Sequence, residues 1–189
     1  MYEFIDLKRE CEAVEIPSGV RRMLPALTRV RISQFLGSGY TVVCDTGHMC
    51  RIDAKDADAL GLTAPEQNTA FEGSFDDQMV WDQLKTVYDP EIPVNIVDLG
   101  LVYSCAITAD EQGRKIDVEM SMTAPGCGMG DVLKSDVESK LSRLPEVKQV
   151  NVRIVFEPPW YPGLMSEAAK LQLGFDLDYG SNSAARMSR

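Results

Sequence analysis

Among side chains that do chemistry near neutral pH, one cysteine of this chain stands in an unusual setting. The stretch TAPGCGMGD, residues 123–131, sets Cys127 between two glycines, after a proline and just before a run patterned as a helix. Unpaired N–H groups and the positive dipole end favour a thiolate at a helix N-terminus. Cysteines placed there titrate well below the free value of about 8.5. Gly126, Gly128 and Gly130 keep side chains away, so the backbone can curl round a sulfur or an anion. The plainer alternative is a strand-to-helix turn made by the glycines, with Cys127 as a small buried filler. Reactive cysteines favour accessible, electropositive positions of this kind, which weighs towards a functional thiol.

A second group lies in DPEIPVNIVDLG, residues 89–100, where Asp89, Glu91 and Asp98 share a proline-bracketed loop. Such a loop can hold carboxylates for hydrogen bonding, metal contact or proton transfer. It can equally use Asp89 and Asp98 to satisfy turn amides, the common task of Asp in loops. Cys44, His48 and Cys50 form C-x3-H-x-C across a hairpin, three ligands where a closed zinc site takes four. Nothing fixes Cys11 near enough to be the fourth, so a hairpin carrying two small apolar residues is the plainer reading. His48 is the only histidine; no Gly-x-Ser-x-Gly elbow, Walker loop or Gly-x-Gly-x-x-Gly turn is present. Trp160, beside Pro158, Pro159 and Tyr161, is either a partner anchor or a cover over the core.

The elements that must carry these residues divide into two groups. Residues 1–61 read as a small antiparallel β module, with Val30 and Ile32 alternating against Arg29, Arg31 and Ser33. YTVVCDTGHMCRI gives two strands joined at Asp45-Thr46-Gly47-His48. Residues 62–73 read as a linker. From residue 74 the pattern becomes α-β-β-α-β, an α+β domain with helices on one face of a small sheet. Its first helix has Met79, Val80, Leu84, Val87 and Tyr88 on one stripe, a Ser74/Asp77 capping box, and Pro90 as terminator. Leu101, Tyr103, Cys105 and Ile107 alternate along the next strand; Ile116, Val118, Met120 and Met122 line the one after it. A helix over 130–144 buries Val132, Leu133, Val137, Leu141 and Leu144, and a strand over 150–156 follows. A short helix from Ser166 ends near Gly174, and residues 175–189 read as a polar tail.

Composition narrows the function. The net charge of −10 argues against a nucleic-acid partner, because phosphate binding takes clustered Lys and Arg. No apolar run approaches the roughly 20 residues that span a bilayer. MYEFIDLKRECEAVE lacks the basic and apolar regions of a secretory signal. Five irregularly spaced cysteines do not suggest a disulfide framework, and a reducing cytoplasm is the expected location.

YDPEIPVNIVDLGLVY followed by MTAPGCGMGD resembles the SufT-like iron–sulfur cluster assembly proteins of the PaaD/MIP-type domain family. The resemblance is strong over about residues 75–160, and IPSG, TRVRISQFLGSGYTVV and PPW extend it. It implies an α+β domain, a cytoplasmic role and no enzymatic turnover. The family's Asp-Pro-Glu block falls on Asp89-Pro90-Glu91, its Asp-Leu-Gly block on Asp98-Leu99-Gly100, and Thr-x-Pro-x-Cys on Thr123, Pro125 and Cys127. PaaD proteins of phenylacetate oxidation carry further C-terminal cysteines in a zinc-type pattern, and no cysteine follows Cys127 here. The implied role is assembly or targeting of iron–sulfur clusters. Cys127 would be a transient ligand to iron or a cluster, and Asp89, Glu91, Asp98, Thr123, Gly126 and Gly128 the supporting loops. A cluster generally takes four ligands, so the others would come from a second copy, a partner or a small thiol. Expected partners are iron–sulfur assembly and carrier proteins and apo clients, with a labile cargo or none in the isolated protein. Two rivals remain: a thiol-dependent enzyme with Cys127 as nucleophile, and a pure docking module.

Overall fold

The computed structural model describes residues 4–64, 71, 73–124 and 128–175. The architecture is α+β, with one antiparallel sheet, one mixed sheet and a few short helices.

The first sheet has six strands: β1 (Ile5–Asp6), β2 (Cys11–Ile16), β3 (Arg21–Leu24), β4 (Arg29–Leu36), β5 (Gly39–Cys44) and β6 (Met49–Asp53). Their order is β1-β4-β5-β6-β2-β3, with every pairing antiparallel. The expected hairpin at 45–48 is closed by hydrogen bonds from Cys44 N–H to His48 O and from Gly47 N–H to Cys44 O, each 2.8 Å. Gly47 sits at φ 87°, which suits glycine. A 3-10 helix, Ala54–Leu60, closes one side of the core with Ala54, Ala57, Ala59 and Leu60.

Because successive strand residues face opposite ways, β2 serves two cores. Cys11 and Ala13 join the first, with Leu7, Val30, Val42 and Ile52. Ile16 is buried in the second, and Val14 packs against it.

The second core lies between a three-stranded sheet and helices α1 (Asp77–Leu84) and α2 (Gly130–Leu141). Strands β7 (Val102–Asp110) and β8 (Gly113–Met120) pair antiparallel, and β8 pairs parallel with β9 (Val147–Ile154). The parallel pair is joined by α2, as a crossover requires. Ile116, Val118 and Met120 of β8 share this core with Leu133, Val137 and Leu141 of α2. A 3-10 turn (Pro162–Leu164) and α3 (Glu167–Gln172) complete the chain, with Gly174 at φ 76° just past the end of α3.

Several boundaries differ from the sequence expectation. The cap of α1 is Asp76, whose carboxylate accepts from Gln78 N–H, in place of Ser74. The helix stops at Leu84, well before Pro90; Val87 stays buried, but Tyr88 enters a bridge with Asn95 that holds the chain extended. Helix α2 ends at Leu141, and Leu144 reaches the core from a tightened turn in which its N–H donates to Leu141 O. Strand β9 starts earlier than expected and stops at Ile154. In β7 the register shifts between Val102 and Ser104, so Val102 opposite Met120 joins Cys105 and Ile107 on the core side. Tyr103 is turned out of that row, and its hydroxyl donates to Pro158 O.

Candidate functional site

The 89–100 loop is built by its own polar side chains. Asp89 is 2% exposed, and its Oδ1 accepts from Glu91 N–H and Ile92 N–H, both at 2.9 Å. Its own N–H donates to Val94 O. This is the amide-satisfying role, carried out in the interior. Burial pushes the Asp89 carboxyl above its ordinary range, and the two amides pull it down by less. Glu91 beside it is exposed at the surface, yet it is also raised, first by partial burial and then by the charge of Asp89. The pair therefore holds protons more readily than two free carboxylates.

Asp98 lies at the far end of the loop. Asn95 Oδ1 accepts from Val97 N–H and Asp98 N–H, while Asn95 Nδ2 donates to Asp98 Oδ2 at 2.6 Å. Asn95 and Asp98 thus cap the turn that leads to Gly100, and Asp98 O accepts from Ser166 N–H, the cap residue of α3. Gly100 is required for two reasons. Its φ is 69°, and a Cβ there would lie 2.2 Å from Leu164 O. Trp160 closes the same corner as a core cover, with Nε1 donating to Leu99 O at 2.8 Å.

Pro125, Gly126 and Cys127 lie outside the described residues, and so does the facing of Cys127 towards either acidic block. The chain on each side of them is fixed. Ser121 and Met122 are buried before the segment, Ser121 N–H donating to Leu101 O. Thr123 is half-buried in a bend. After the segment, Met129 is fully buried and precedes α2 as its cap, with no side-chain hydrogen bond of its own. Gly128 touches the first sheet: its N–H donates to Pro17 O at 3.2 Å. Ser121 Oγ is buried without a partner, a polar atom close in sequence to Cys127 that nothing in the residue pattern singled out.

The remaining thiols are unlike a reactive cysteine. Cys11, Cys44, Cys50 and Cys105 are free, and burial is the first cause raising each of them. Cys50, against Cys44 in the first core, is pushed up to about 11. Among the described residues no group of three or more His, Cys, Asp and Glu side chains is placed to hold a metal ion, Cys44, His48 and Cys50 included. None of the described helices is long and apolar enough to cross a membrane.

Comparison with known proteins adds the following. Residues 77–154 match the family model described as iron–sulfur cluster assembly protein. An Fe–S protein maturation auxiliary factor of Porphyromonas gingivalis is 47% identical over 92 residues, 49% of this chain and 85% of that protein. The Fe–S protein maturation auxiliary factor SufT of Staphylococcus aureus is 41% identical over 88 residues, 47% of this chain and 97% of its own. A domain of unknown function from Bacillus anthracis, solved by crystallography, is 42% identical, with 53% of this chain and 92% of that chain covered at a TM-score of 0.47.

Proposed function

This chain belongs to the iron–sulfur cluster assembly protein family, and from that membership we propose a cytoplasmic maturation factor in which Cys127 is the working thiol. Cys127 supplies one thiolate to iron or a cluster in transit, and the other ligands come from a carrier, a client, a small thiol or a second copy. The cargo is therefore labile, and no substrate is turned over. Glu91 and Asp98 shape the surroundings of the thiol, with Asp89 setting the loop that carries Glu91. Thr123, Gly126 and Gly128 belong to the loop that carries the thiol.

The observation that supports this reading most is the state of the other cysteines. The four described thiols are held protonated by burial, which leaves the cysteine of the family block as the candidate thiolate. Against a nucleophilic enzyme stands the position of His48. Its ring lies 3.5 Å from Glu15, and Glu15 faces away from the side on which Ile16 meets the second core. Anaerobic loading with iron and sulfide in the presence of a small thiol tests the proposal. Wild type should retain both, and Cys127→Ser should lose them with its circular dichroism unchanged. Equal retention by the two proteins would overturn the assignment of Cys127.

A further inference from the structure

We propose that the turn between β2 and β3, residues 17–19, is a positioning element for the cysteine loop, acting through a backbone contact between Gly19 and Gly128. The inference rests on the reading of Cys127 as the working thiol and assigns a task to a part of the chain that lies outside the family match at 77–154.

The contact is close enough to exclude side chains on either partner. A Cβ on Gly128 would lie 1.8 Å from Ser18 O and 2.3 Å from its carbonyl carbon. A Cβ on Gly19 would lie 1.9 Å from Gly128 O. All these neighbours are backbone, so no rotamer change relieves them. Gly19 has a second reason to be glycine, its φ of 71°. At Gly128 the approach of the Ser18–Gly19 backbone by itself excludes a side chain. The second of the two glycines flanking Cys127 is thus explained by the approach of the N-terminal sheet.

The turn is rigid where it presses. Gly19 N–H donates to Glu15 O and Glu15 N–H to Val20 O, both at 2.8 Å, and Val20 N–H donates to Ser18 Oγ. Its root, Ile16, is buried in the second core. On the other side of the contact, Met129 is fully buried immediately after Gly128. The N-terminal sheet therefore grips the chain one residue past Cys127, where α2 is about to begin.

The test uses the full chain and two readouts. The first is hydrogen exchange of the Gly128 amide, followed by NMR in wild type, Gly128→Ala and Gly19→Ala. The wild-type amide should be protected, and both variants should lose that protection at residue 128. Gly128→Ala carries the argument if Gly19→Ala fails to fold, because the atoms nearest its added Cβ all belong to Ser18 and Gly19, so it strikes the contact itself. The second readout is the pH profile of Cys127 alkylation. Undocking should move its midpoint towards that of an ordinary thiol, about 8.5, and slow the reaction at neutral pH several-fold. Gly47→Ala, a strained turn in the same sheet with nothing near its Cβ, should leave the profile unchanged. A wild-type Gly128 amide that exchanges as freely as an exposed one overturns the docking. Docked and undocked proteins with the same Cys127 profile overturn the positioning role. A wild-type Cys127 that alkylates no faster than the buried thiols defeats the working-thiol reading, and with it the positioning role, while the exchange data still decide the docking.

Discussion

At the scale of single residues, burial sorts the thiols and the carboxylates. Iodoacetamide at neutral pH should modify Cys127 first and Cys105 next, with Cys11, Cys44 and Cys50 following only on unfolding; peptide mapping by mass spectrometry reads the order. Equal labelling of all five would remove the basis for a special thiol. Asp89 makes a prediction with a definite sign. Its folded value is raised, so the unfolded chain ionises first as the pH climbs. The folded state is penalised progressively from the ordinary aspartate range of about 3.9 up to the raised value, and the whole penalty stands above it. Asp89→Asn keeps an acceptor for the two amides and removes that penalty, so its stability relative to wild type should improve across this window and then level off. In the same variant Glu91 should titrate lower, though not at its ordinary value, because burial is the larger cause of its shift. Asp89→Ala instead strands the Glu91 and Ile92 amides and should cost about 1–3 kcal/mol. The sequence offered amide satisfaction for Asp89 but not its depth, since burial depends on elements far along the chain.

At the scale of elements, periodicity found β4, the β5–β6 hairpin and the strands and helices of the second group but not β1, β2 or β3, and local polar contacts decided where the elements end. Ser74 and Asp76 are both good caps by type; the structure uses Asp76. Asp76→Ala should lower stability by about 0.5–2 kcal/mol, and Ser74→Ala should stay within about 0.5 kcal/mol of wild type. Denaturant midpoints distinguish the two, and a larger effect at Ser74 would mean that the capping box forms in solution. Val87 fits the helical stripe because it points into the same core, but Tyr88 pairs with Asn95 across the loop. That pairing has no signature in the residues before it. The bulge in β7 was equally hidden: Leu101, Tyr103, Cys105 and Ile107 alternate without a break in the sequence, and only pairing with β8 reveals the extra residue. Gly100 entered the sequence reading only as part of the family block; its positive φ and its task of admitting Leu164 O needed the folded chain, the latter some sixty positions onward.

At the scale of the whole molecule, β2 is the member common to both cores. The division into a module over 1–61 and a domain over 74–174 remains our proposal, and Ile16 is where it meets its strictest test. Ile16→Ala removes a side chain 7% exposed in the second core and should cost about 2–5 kcal/mol. Both tryptophans, Trp81 and Trp160, pack against that second core, so the loss should appear in their fluorescence-detected transition although the mutation lies in the first sheet. A transition that does not move would mean that Ile16 adds nothing to the second core. Ser38 and Arg51 reinforce the junction through Asp136 of α2. Residue pattern could separate the two groups of elements, because each has its own periodicity. It could not show that alternate residues of one strand belong to different groups, since a strand with one apolar face buried inside and another facing a neighbour reads simply as apolar. This shared strand also orders events during synthesis. The face bearing Val14 and Ile16 leaves the ribosome long before its partners on α1 and α2 exist, so the nascent protein carries a waiting apolar stripe, and translation pauses upstream of α2 prolong the time in which it is open to misassembly.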